Sequence, residues 1–115
     1  MEMILFVLDD PGKIEQLLDE WRSIGITGVT VMESTGFHRL KKRIPMPFAY
    51  TAGNIVEEGH LTLFAIVKDN AVVKKCLAVT EKVVGDLNEP NTGVFASWML
   101  DLTKGASAKK LSAEE

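Results

Sequence analysis

Two amphipathic segments, each set between runs of β-branched and aliphatic residues, fix most of what this chain can become. The first run, residues 3–8, is continuously apolar and stops at Asp9-Asp10-Pro11. Such a run predicts a strand buried on both faces or central in a sheet. Asp10-Pro11 predicts a helix start, a capping carboxylate followed by proline at the first helical position. Ile14, Leu17, Leu18, Trp21 and Ile24 then share one helical stripe, and Gly25 stands where a left-handed terminator is needed.

The pattern repeats. Residues 28–34 and 61–67 are β-branched strand candidates. Asp69 or Asn70 caps a second helix whose apolar surface includes Val72, Val73, Cys76, Leu77, Val79, Thr80, Val83 and Val84, ended by Gly85. Its valines lower intrinsic helix propensity, so burial must support it. Residues 93–100 predict a fourth strand, and residues 106–115 a flexible tail. The order β-α-β-β-α-β is that of the ferredoxin-like split βαβ, an α+β fold with two helices on one face of a four-stranded antiparallel sheet. The first and third strands are apolar on both sides, so the open sheet face calls for cover, most simply by other copies of the chain.

Composition narrows the function classes. The chain has 115 residues, one domain's worth, and 46% of them are hydrophobic. Thirteen basic residues against sixteen acidic ones give a net charge of −3, which argues against a nucleic-acid partner. The apolar run at residues 3–8 is too short for a leader core or a membrane span, so no membrane insertion is expected. A single cysteine, Cys76, cannot close an intrachain disulfide, and the expected location is cytoplasmic.

Residues are spent where folding does not require them. The hairpin between the second and third strands needs about two to five residues, yet residues 35–60 number 26. The stretch carries a basic part (His38, Arg39, Lys41, Lys42, Arg43), an apolar middle stiffened by Pro45 and Pro47 (Met46, Phe48, Tyr50), and an acidic end at Glu57-Glu58. Two aromatics and a methionine so close together point to docking of a partner, with Lys41, Arg43, Met46, Phe48 and Tyr50 as the contact residues. A second long connection, residues 85–93, holds Gly85, Asp86, Asn91, Thr92 and Gly93. These can present amides to an anion or simply build turns.

The segment Gly25-Ile26-Thr27-Gly28-Val29-Thr30-Val31, then Glu33, Gly36-Phe37 and Arg39, resembles the PII signal-transduction superfamily. The resemblance extends over residues 3–105, with residues 35–60 in the place of the T-loop and residues 85–93 in that of the B-loop. It implies a homotrimer of ferredoxin-like subunits, a small anionic ligand in clefts between subunits, and an unidentified protein target engaged by the loop. By that resemblance ADP, ATP or AMP is the ligand, no obligatory cofactor is needed, and the protein is a regulator rather than an enzyme. Thr30 matches a threonine near the adenine, and Ile66 falls near a strand-three position that lines the same pocket. The resemblance implies that Gly36, Phe37, His38 and Arg39 lie beside the phosphates and that Gly85, Asp86, Asn91, Thr92 and Gly93 approximate the B-loop that grips them.

The departures bear on ligand chemistry. Leu40 stands where the family has a glutamine, Val94 replaces the B-loop lysine, and Lys104 is left near a missing pair of C-terminal arginines. Each lost charge-assisted contact is worth about 1.5–3 kcal/mol, so two or three weaken a nucleotide more than about a hundredfold unless Arg39, Lys41, Lys42 and Arg43 replace them. Two other classes use this fold. A trimeric metal-binding protein of the CutA type would have to draw on His38, His60 and Cys76, which show no diagnostic spacing. A small enzyme would have to use Asp9, Asp10 and Asp86 as acid–base groups, and no Ser/His/Asp arrangement of familiar spacing is visible. Trp21 and Trp98 are most simply core residues, with a face between subunits as the alternative place for Trp98.

Overall fold

The computed structural model describes residues 1–35 and 59–106. Within them the order is β1 (Glu2–Leu8), a short 3-10 turn (Pro11–Lys13), α1 (Ile14–Ser23), β2 (Val29–Ser34), β3 (His60–Val67), α2 (Asn70–Val84) and β4 (Gly93–Met99). The four strands form one sheet in the order β2-β3-β1-β4, with every neighbouring pair antiparallel. This arrangement is compatible with a ferredoxin-like fold.

The helix starts follow the capping chemistry. Asp10 accepts a bond from the Gly12 amide at 3.0 Å ahead of Pro11. Asp69, in extended conformation, accepts from the Val72 amide at 3.1 Å, which settles the cap of α2 on Asp69 rather than Asn70. Gly85 closes α2 with φ +95° and donates its amide to the Glu81 carbonyl at 2.9 Å. A left-handed residue here releases the chain without the steric penalty a side chain would bring.

Alternation along β1 sorts the sheet into two faces. Ile4, Phe6 and Leu8 are fully buried, and their neighbours in register on β3 and β4 include Leu63, Ala65 and Phe95. Against that face α1 brings Leu17 and Trp21, while α2 brings Val73, Cys76, Thr80, Val83 and Val84. Each large side chain buried there contributes about 1.5–3 kcal/mol. The opposite face carries Met3, Leu5, Val7, Phe64, Ile66, Met32, Val94 and Trp98. No helix among the described residues covers it, and Val94 is 60% exposed and Met32 51%.

For Trp98 the core placement is therefore corrected. Trp21 is fully buried, but Trp98 lies on the open face and is 46% exposed. Both alternatives were compatible with a strand of period two; the register with Met3 puts Trp98 on the side away from the helices.

Candidate functional site

The two pocket residues indicated on β2 and β3 come together. Thr30 and Ile66 line one cavity of about 260 Å³ on the open sheet face, with Met3, Gly28 and Phe64 as its floor and wall. Gly105 and Ala106 line it as well, so the segment after β4 returns across the sheet to this edge. A second cavity of about 210 Å³ adjoins it around Gly28 and Ile66 and is lined by Ile24, Ile26, Lys68 and Val72. Ligand sites for cofactor-sized molecules run about 300–1,000 Å³ and bury most of their ligand. The first cavity is too small and too open to do that with one chain alone.

Residues 85–93 are elsewhere. Gly93 pairs with Leu8, at the far end of β1 from Met3 and Ile66. Five residues of strand separate the two levels, about 17 Å, and β2 and β4 lie on opposite edges of the sheet. One chain does not bring Thr30 and Ile66 together with Gly85, Asp86, Asn91, Thr92 and Gly93.

Inside that connection the polar groups are engaged locally. The Asp86 carboxylate accepts from the Asn88 amide at 2.9 Å, and Thr92 Oγ1 donates to the Glu89 carbonyl at 2.9 Å. Glu81 Oε2 accepts from the Leu87 amide at 3.0 Å, which adds a second carboxylate to the loop. Asn91 takes a left-handed φ of 66°. Gly93 has a packing role: a Cβ there would lie 2.2 Å from the Val7 carbonyl oxygen and 2.9 Å from the Phe6 ring.

Gly36, Phe37, His38, Arg39, Lys41, Arg43, Met46, Phe48 and Tyr50 lie outside the described residues. Among the described residues no three His, Cys, Asp or Glu side chains group as metal ligands would. Cys76 is fully buried, and burial pushes its thiol up to about 12, partly offset by a weak contact to Thr80. Of the three carboxylates weighed for acid–base work, Asp10 and Asp86 serve as caps of their own turns.

Family models and curated proteins yield no match to this chain. The site must therefore be read from its own geometry.

One constellation escaped the sequence reading. Ser34 and His60 are partners in the β2–β3 register, and Ser34 Oγ lies 2.7 Å from His60 Nδ1. Thr62 Oγ1 is 2.8 Å from the same hydroxyl, and the His60 carbonyl accepts from it at 3.2 Å. The signal was there: Ser34 and His60 bracket the long connection, and closing the hairpin at its base makes them neighbours. What the sequence lacked was the register that sets Ser34 opposite His60.

Proposed function

We propose that this chain is a PII-like regulatory protein. It binds a small anionic ligand, an adenine nucleotide (ADP, ATP or AMP), in clefts between copies of itself and signals to a protein target through residues 35–60. The observation that carries this reading is the convergence of Thr30 and Ile66 on one cavity of about 260 Å³. Both positions are ones that the resemblance indicates.

Assembly is supported by two further features. The open sheet face presents Met32, Val94 and Trp98 to solvent, an apolar surface of the kind that copies of a chain cover for one another. The β2 edge holds Thr30 while the β4 edge holds residues 85–93. A head-to-tail ring sets the β4 edge of one copy beside the β2 edge of the next, uniting what one chain keeps apart. In that arrangement three copies make three equivalent clefts, and ligand binding changes how residues 35–60 engage the target.

Calorimetry against ATP, ADP, AMP and cyclic nucleotides tests the ligand. Binding at micromolar levels that weakens on Arg39→Ala is the expected result. Absence of heat with every nucleotide, from a chain shown to be folded and trimeric, would remove the nucleotide from this reading. Light scattering that gives one chain per particle would remove the clefts.

A further inference from the structure

Ser34, His60 and Thr62 meet where β2 and β3 enter the long connection, and the regulatory reading has no use for them. A hydroxyl 2.7 Å from an imidazole nitrogen is within the reach required of a nucleophile and its general base. We infer that Ser34 and His60 form a nucleophile–base dyad that takes acyl groups from activated esters or thioesters. This activity does not rest on the nucleotide reading, and it needs the Ser34 end of β2 and the Met32 side of the sheet to stay uncovered in any assembly.

Proton counting says which atoms act. The Ser34 hydroxyl has one proton and two lone pairs. With the ring proton on Nε2, Ser34 donates to His60 Nδ1, accepts from Thr62 at 2.8 Å, and keeps one lone pair for attack. The His60 carbonyl, at 3.2 Å, is the competing acceptor for the same proton. The tautomer with its proton on Nδ1 turns Ser34 toward that carbonyl and removes the base.

The surroundings suit an apolar acyl chain. Ser34, His60 and Thr62 are half-buried, so none of the three is sealed in the core. Val7 and Met32 flank Thr62 in register on the same face and offer an apolar floor. β2 is an edge strand, so alternate amides along it point away from β3 and can donate to an oxyanion.

The reaction balances with water as the only co-reactant. Ser34 Oγ attacks the acyl carbon while its proton passes to Nδ1. The leaving alkoxide or thiolate departs with that proton, which leaves an ester on Ser34. Water then attacks the ester carbonyl and gives a proton to Nδ1. Ser34 regains it as the carboxylic acid leaves.

The test uses the full chain with p-nitrophenyl butyrate, following p-nitrophenolate release and the intact mass of the protein. The expected result is release with a butyryl adduct on Ser34, abolished in Ser34→Ala and reduced at least about a hundredfold in His60→Gln. Equal release by the parent chain and Ser34→Ala, or an adduct mapped to another residue, would overturn the dyad. Should Ser34→Ala fail to fold by circular dichroism, Ser34→Cys keeps the question open to measurement. Its thiol must acylate with His60 present and lose most of that rate in the Ser34→Cys/His60→Gln double variant. A thiol indifferent to His60 would overturn the proposal equally.

Discussion

Trp21 donates its indole N–H to Thr80 Oγ1 at 2.9 Å, across 59 residues of sequence and in full burial. The bond ties α1 to α2 beneath the sheet, and Thr80 is the one polar side chain among the buried residues described. Its hydroxyl also lies 4.0 Å from Cys76 Sγ, one turn earlier on the same helix. An indole N–H left without an acceptor in such a place costs about 1–3 kcal/mol. Thr80→Val should therefore destabilise the chain by that amount in urea unfolding, although it preserves volume. Unchanged stability would mean that the indole finds another acceptor.

Cys76 sets a pH dependence at the alkaline end. Its thiol stays protonated in the folded chain up to about 12, against 9.0 when unfolded. Below the unfolded value both states carry the proton, and this group has no effect. Between the two values the unfolded state binds fewer protons, so stability falls as pH rises, by up to about 1.4 kcal/mol per unit. Denaturant titrations above pH 9 should show this slope in the parent chain and a shallower one in Cys76→Ala. Alkylation of Cys76 should be slow at neutral pH and accelerate only with denaturant.

Gly93 is a position where space and backbone conformation both demand glycine. Its φ is +145°, and an added Cβ meets the Val7 carbonyl oxygen and the Phe6 ring. Gly93→Ala should cost at least about 2–3 kcal/mol, read as a lowered unfolding midpoint, since β4 must shift away from β1. Gly105→Ala faces open space at φ +95° and should cost only about 1 kcal/mol. Similar losses at both glycines would show that conformation alone matters.

The open sheet face can be tested by charge. Trp98→Lys combined with Val94→Lys places two cations on the uncovered side, away from the core beneath Phe6. The expected outcome is a folded chain of unchanged circular dichroism that sediments as a monomer, whereas the parent sediments as a trimer. A parent chain that is already monomeric would show that the face needs no cover.

The elements were legible because each satisfied several local rules at once. Period, cap and terminator agreed on α1 and α2, and the apolar run agreed on β1. Where a choice depended on a partner distant in sequence, local rules could not make it. Trp98 alternates along β4 as any strand residue would, and nothing near it says which face meets the helices. Trp21 and Thr80 were both placed on apolar stripes, but the bond between them needs the helix–helix contact. Ser34 and His60 stayed apart in the reading because the hairpin register is set by pairing of β2 with β3, not by composition. Thr30 and Ile66 were legible together only through the resemblance of the segment around Gly28.

The place of β1 at the centre of the sheet governs how the molecule can be made. It pairs on one side with β3 and on the other with β4, whose last residues meet its first ones. On the ribosome β1 is made first and must wait for both partners, the second of which ends at Met99. Loop-closure entropy delays such distant pairings, and a strand that waits is open to mispairing. Until β3 is synthesised β1 has two bare edges, and until β4 follows it keeps one, so this hydrophobic strand depends on α1, or on a chaperone, to keep it from a neighbour on the same polysome.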